Sequence, residues 1–304
     1  MSLKDMVKTE DAGQLVETRY QMNKRRILEQ RKRDEERRQT YLTMSISGDP
    51  KIGKSGIAMD CRTDEEIKEG WKVYCLDFDN GAKSTWQSQW NSDENIWIFN
   101  PWILTDDGHR NYEATADNAH DFVRFVRERI EQGEKVKAFI LDGVDKWLEC
   151  CSQMLRLSIT KSGKIRDADL QKVPTLAWGR RKREYYRLLE DNILDSGLDC
   201  HKFFITHMKP KYAEGNIHEP IIVDLIEDWE KSTEALFIQT LRIRKGKNAD
   251  GDIVSRATLT SSKTNTELVG TTWDVLTIRN GEDENGNPLE NIWTGIQELK
   301  EGTL

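Results

Sequence analysis

Residues 48–55 read Gly-Asp-Pro-Lys-Ile-Gly-Lys-Ser, a match to G-x-x-x-x-G-K-[ST] at every fixed position. The spacing has a physical purpose. A loop hinged on glycines turns so that successive backbone N–H groups point inward at phosphate oxygens. Gly48 and Gly53 can take backbone conformations that other residues resist. A lysine directly after the second glycine sets a cation between two phosphates, and the hydroxyl that follows ligates Mg²⁺. The binding set predicted for ATP and Mg²⁺ is therefore Gly48, Asp49, Pro50, Lys51, Ile52, Gly53, Lys54, Ser55 and Gly56.

Such a loop needs an acid at the end of a neighbouring strand to hold the metal and its waters. The apolar run Phe139-Ile140-Leu141 ends in Asp142, which makes Asp142, with Ser55, the predicted metal pair. Asp145, three residues on, reads instead as a helix cap. Hydrolysis also needs a group that orients or deprotonates water. The segment Leu76-Asp77-Phe78-Asp79-Asn80-Gly81 offers two carboxylates that point to one face if the strand persists. Asp79 lies nearer the strand's C-terminal end, where ligands sit in open α/β sheets, and is preferred as the base. The strand Phe203–Thr206 runs into His207, placed to contact the terminal phosphate or the attacking water. The alternative for His207 is a loop histidine satisfied by backbone.

These residues require strands that alternate with helices, and the chain supplies them. Strands are predicted at Tyr41–Ser47, Lys72–Phe78, Asn95–Phe99, Val136–Leu141 and Lys202–Thr206. Helices are predicted from Lys54 to Cys61, from Thr115 to Gln132 and from Thr175 to Leu194. Ala235–Arg244 and Ile253–Ser261 read as a closing antiparallel pair across the turn at 248–252. The fold class is α/β, a mostly parallel central sheet flanked by helices. Residues 1–40 form a charged helical arm, 41–280 the core and 281–304 an acidic tail.

Composition narrows the functional class. The 304 residues carry 46 Lys and Arg against 53 Asp and Glu, a net charge of −7, and 33% of them are charged. No apolar run approaches the roughly 18 residues that span a bilayer, and the first ten residues lack the apolar core of a signal peptide. Five cysteines in no regular framework fit a reducing, cytoplasmic setting. Adjacent Cys150 and Cys151 do not have the spacing of a zinc site. Against the negative total, residues 155–187 hold 10 basic and 3 acidic side chains. Such a local concentration is what an anionic polymer would detect.

The ordered set of features resembles the RecA-like ATPases of phages, and most closely the core-only group linked to single-strand annealing and recombination. The resemblance covers roughly residues 41–279. It rests on the P-loop at 48–55, Asp77-Phe78-Asp79-Asn80-Gly81, the strand ending in Asp142, Trp178-Gly179 opening a long helix, and Thr206-His207. Where this chain has Asp79, the family usually has glutamate. The resemblance implies a RecA-like P-loop NTPase that hydrolyses ATP, assembles with itself as a ring or filament and acts on single-stranded DNA. The loops touching DNA would be 150–174 and 208–220, with Arg156, Lys161, Lys164, Arg166 and Lys172 on the first and Lys209, Lys211 and Tyr212 on the second. Lys263 or Arg244 would serve the neighbouring subunit's site. Two alternatives stay open: a nucleotide-dependent assembly or regulatory ATPase with a protein partner, and a DNA-translocating motor for packaging or unwinding.

Overall fold

The structure, a computed structural model, describes residues 19–36, 41–161, 177–195, 197–212, 222–247, 253–264 and 266–275. The chain divides into two units at Thr40/Tyr41. In the first, helix α1 (Arg19–Glu36) has no Gly or Pro and exposes Tyr20, Ile27 and Leu28.

The second unit is built on one eight-stranded sheet. Its strands are β1 (Thr43–Gly48), β2 (Lys72–Asp77), β3 (Ile96–Phe99), β4 (Val136–Asp142), β5 (His201–Thr206), β8 (Gln239–Lys247), β9 (Ile253–Ser262) and β10 (Thr272–Val275). They lie in the order β10-β9-β8-β1-β5-β4-β2-β3. The six strands from β8 to β3 run parallel, and β9 and β10 close one edge antiparallel. Strands β6 (Met208–Tyr212) and β7 (Ile222–Glu227) form a separate antiparallel pair.

Parallel strands buried on both faces must be apolar on both faces, and alternation decides which core each residue joins. Val73 and Cys75 of β2, Ile140 of β4 and Phe203 and Ile205 of β5 pack with Ile57 and Ala58 of helix α2 (Lys54–Met59). Trp86, in the same helix α4 (Ala82–Gln89) as buried Ala82, packs on that cluster. A short helix α3 (Asp64–Lys68) precedes β2, its start fixed by a capping box between Thr63 and Glu66. On the opposite face Tyr74, Leu76, Phe139, Leu141 and Phe204 meet α5 (Tyr112–Glu131) and α6 (Val144–Lys161). They also meet α7 (Trp178–Tyr186), which continues as a π-helical stretch, Arg187–Leu194. Trp147, at the centre of this second core, is fully buried.

Several sequence expectations change. The strand expected from Ala235 begins at Gln239, because Thr233–Leu236 form a 3₁₀ turn. The helix expected to reach Cys61 stops at Met59, where Asp60 leaves helical geometry. The DNA loop expected from residue 150 is helical to Lys161, so Arg156 stands on α6 rather than on a loop. Lys164, Arg166 and Lys172 lie outside the described residues, as do the acidic tail at 281–304 and the turn at 248–252. Among the described residues, no helix is long and apolar enough to cross a membrane.

Gly48 marks the close approach of β1 to β8. A Cβ built there would lie 2.3 Å from the Ile243 carbonyl oxygen and 2.6 Å from Ile52 Cδ1. Gly48→Ala is expected to destabilise the fold by about 1–3 kcal/mol, read as a lowered urea midpoint. An unchanged midpoint would show that β1 and β8 separate freely.

Candidate nucleotide site

The C-terminal ends of the parallel strands gather one cleft of about 710 Å³. Its lining comes from separate stretches of chain: Pro50, Lys51, Gly53, Lys54 and Ser55 of the loop; Asp79 after β2; Thr85 and Gln89 of α4; Asp142 of β4; Asp145 and Lys146 of α6; His207 after β5. The predicted set Lys54, Ser55, Asp79, Asp142 and His207 is thus brought together.

Not every predicted loop residue faces the cleft. Ile52 is buried and packs in the core, holding the loop from beneath. Gly56 lies against Gln89, where a Cβ would come within 2.4 Å of the amide oxygen. Asp49 contributes its carbonyl rather than its side chain. Lys54 Nζ donates to that carbonyl at 2.7 Å and to the Gly48 carbonyl at 3.1 Å. The loop enters α2 through Gly53, whose φ of 92° is the left-handed geometry glycine accepts without strain.

Ser55 donates its hydroxyl to Asp142 Oδ2 at 2.6 Å. Asp142 is 3% exposed. Burial, with the Asp77 carboxylate on the paired strand, pushes its carboxyl up to about 7; the Ser55 hydrogen bond and Lys54 act against this. Burial likewise lowers the Lys54 ammonium from its ordinary value, partly offset by Asp142, Asp79, Asp145 and Asp49.

A hydroxyl and a carboxylate in contact are a donor set that suits Mg²⁺. That ion takes one or two protein oxygens and fills the remaining positions with waters and phosphate oxygens. Among the described residues no group of three or more His, Cys, Asp or Glu side chains is placed to hold a metal.

The structure separates the two carboxylates after β2. The strand ends at Asp77, and Asn80 takes a φ of 60°, so the expected shared face is lost. Asp77 is 1% exposed and accepts the Ala82 N–H at 3.0 Å, serving the start of α4. Burial holds its carboxyl above the ordinary value. Asp79 reaches the cleft with its side chain 33% exposed.

His207 is not satisfied by backbone alone. Its Nδ1 lies 3.2 Å from Asp145 Oδ2, and its Nε2 lies 3.7 Å from Asp79 Oδ2. Asp145, read from the sequence as a cap, is instead this histidine's partner. A residue so distant in the chain leaves no spacing signal for such a pairing. Sequence reasoning also misses Thr85 and Gln89, since a short polar helix shows no apolar period. The five cysteines are buried and form no disulfide. Lys263 donates to the Ala235 carbonyl at 2.5 Å, and Arg244 is exposed on β8.

Asp142 gives the site a pH signature. Its folded-state proton affinity exceeds the ordinary carboxylate value near 3.9. Its contribution to stability is therefore complete below about pH 4 and lost as pH rises through about 7. In metal-free buffer Asp142→Asn should lose less stability than the wild type between pH 5 and pH 8. Denaturation at a series of pH values checks this; parallel decline of the two proteins would place the proton elsewhere.

No protein-family model matches the chain, and no curated protein is significantly similar to it.

Proposed function

We propose that the chain is a RecA-like P-loop ATPase that binds ATP with Mg²⁺ in this cleft and hydrolyses it, acting on single-stranded DNA in phage recombination, annealing or replication. The observation that carries the reading is the convergence of Lys54, Ser55, Asp142, Asp79 and His207, from four separate strand ends, on one cleft at the C-terminal edge of a parallel sheet. Open α/β sheets bind ligands at that edge.

Each residue has its own part in the reaction. Lys54 would exchange its loop carbonyls for phosphate oxygens and neutralise charge that builds during transfer. Ser55 and Asp142 would hold Mg²⁺, which supplies further neutralisation of the phosphates. Asp79 would take one proton from water as the water oxygen bonds to the terminal phosphorus. The bond from that phosphorus to the bridging oxygen then breaks, giving ADP and inorganic phosphate. Asp79 fits this role better than Asp77, whose buried carboxylate is committed to the Ala82 N–H.

Support for a polymer partner comes from the pair β6–β7. It begins directly after His207 and exposes Lys211 and Tyr212. Lysines neutralise phosphates and a tyrosine stacks on a base. Lys209 is already paired with Asp228 at 2.8 Å. The alternative, an assembly or regulatory ATPase with a protein partner, shares the same cleft and differs only in what the exposed basic segments meet. A ring or filament of the chain, with Arg244 or Lys263 reaching a neighbour's site, belongs to the same proposal.

Phosphate release measures the first claim. Lys54→Ala should abolish turnover, and Asp79→Asn should lower it by about 10²–10⁴-fold while ATP still binds. A folded Lys54→Ala protein with near-normal turnover would refute the ATPase reading, and an inactive Asp77→Asn beside an active Asp79→Asn would reverse the choice of base.

Salt dependence measures the second claim. Each phosphate neutralised on a single strand contributes about −0.7 to the slope of log K against log salt, so three or four contacts predict a slope of roughly −2 to −3. Changing Lys161, Lys164 and Arg166 together to Ala should flatten the slope and spare DNA-independent hydrolysis. Absence of DNA binding at low salt with ATP present would favour the protein-partner alternative.

A further inference from the structure

Asp145 has no part in the chemistry assigned so far. It stands in the first turn of α6, where a carboxylate ordinarily serves the helix's own N-terminal N–H groups. Its oxygens go to His207 instead. Nδ1 of the ring lies 3.3 Å from Oδ1 and 3.2 Å from Oδ2, and the His207 backbone N–H reaches Oδ1 at 3.4 Å. The Asp145 side chain is 8% exposed, so this geometry is enclosed by packing.

A carboxylate at Nδ1 requires a proton there, because an ionised carboxylate only accepts. The other nitrogen, Nε2, is then the one turned to Asp79. Its distance of 3.7 Å to Asp79 Oδ2 is within ion-pair range but longer than a hydrogen bond. The base and the histidine therefore face one another at the wall of the cleft without a closed bond between them.

The geometry points to Asp145 as a positioning residue: it holds His207 as an imidazolium whose Nε2–H has two competing anionic partners, Asp79 as an ion pair in the nucleotide-free protein and the terminal phosphate of a bound triphosphate. Binding of a triphosphate takes the histidine and releases Asp79 to work on water. A diphosphate lacks the third phosphate, and the His207–Asp79 pairing persists. The inference rests on the nucleotide-hydrolysing reading and adds to it a device that links the base to the presence of its substrate.

The charges around the ring favour the cation. The Asp145 hydrogen bond holds the imidazole above its ordinary value; burial and the Lys54 ammonium oppose this, and Asp79 adds to it. Asp145 faces it from α6, Asp79 from the turn after β2 and Lys54 from α2; Asp142 and Lys146 line the same cleft. From the β6–β7 side, Asp228 donates its backbone N–H to the His207 carbonyl and gives its carboxylate to Lys209.

The experiment combines histidine-ring NMR with binding of ADP and of a non-hydrolysable ATP analogue to the full chain. In nucleotide-free wild type, the His207 ring, assigned through His207→Gln, should titrate above the ordinary histidine value near 6.5. Asp145→Asn should lower that titration, because the hydrogen bond that favours the cation is lost. It should also cut the preference for triphosphate over diphosphate by ~5-fold or more, and Asp145→Glu should restore part of it. Asp79→Asn should tighten triphosphate binding with diphosphate binding unchanged, because a competitor for Nε2 has been removed, and this gain should vanish in the Asp145→Asn background. A His207 that titrates at or below about 6.5 in folded wild type overturns the inference. So does an Asp145→Asn protein with unchanged titration and unchanged triphosphate preference. Wild type that binds neither nucleotide overturns the nucleotide-hydrolysing reading, and the inference with it.

Discussion

The 2.6 Å hydrogen bond from Ser55 to Asp142 is the constraint on which the rest of the site depends. It ties the first turn of α2 to the end of β4, and so sets the loop's distance from the sheet. It also makes a buried carboxylate tolerable. Asp77 and Asp142 end neighbouring strands in register, both almost fully buried. Two such carboxylates repel and lack water, a costly arrangement unless hydrogen bonds or cations answer them. Ser55 answers one and the Ala82 N–H the other. Lys54 is the nearby cation, and its own burial is tolerated because two loop carbonyls receive it.

Sheet topology then explains why the cleft holds these groups. β5 is inserted between β1 and β4, so His207 emerges between the loop and Asp142. Helix α6 starts immediately after β4, which carries Asp145 to the same place. From the other side, the turn after β2 brings in Asp79. The polar groups sit at or just past the last paired residue of each strand, and the apolar body of the strand keeps that end in position.

Much of this could be read from the chain. The loop's place at the cleft was legible because glycine, lysine and serine stand at a fixed spacing directly after a strand. Asp142 stood out because a carboxylate directly after Phe139-Ile140-Leu141 needs a reason to be there. The long amphipathic helix α5 and the buried strands were visible in their periods. Other parts were not. The exposure of Asp79 and the burial of Asp77 depend on where a strand stops, and this one stops at Asp77, its last residue paired with β4. The pairing of Asp145 with His207 joins residues 62 positions apart, and composition is silent on such pairs. Helix α4 lacks an apolar stripe over most of its length, yet it forms one wall of the cleft. The extent of α6 into the basic segment was masked by the very charges that drew attention to it.

The strand order also has a consequence for how the protein is made. The loop lies at residues 48–55 and the histidine at 207, with β4 between them in sequence and β5 between β1 and β4 in space. A growing chain therefore has its glycine-hinged loop long before the strand that must slot beside it. Until β5 arrives, β1 and β4 have no common neighbour, and the Ser55–Asp142 contact has no support. Contacts this distant in sequence form late, because loop closure must be met before they reward it. The cleft is thus a product of the completed sheet rather than of any one segment, and a nascent or truncated chain that carries the loop alone lacks the walls that make it a pocket.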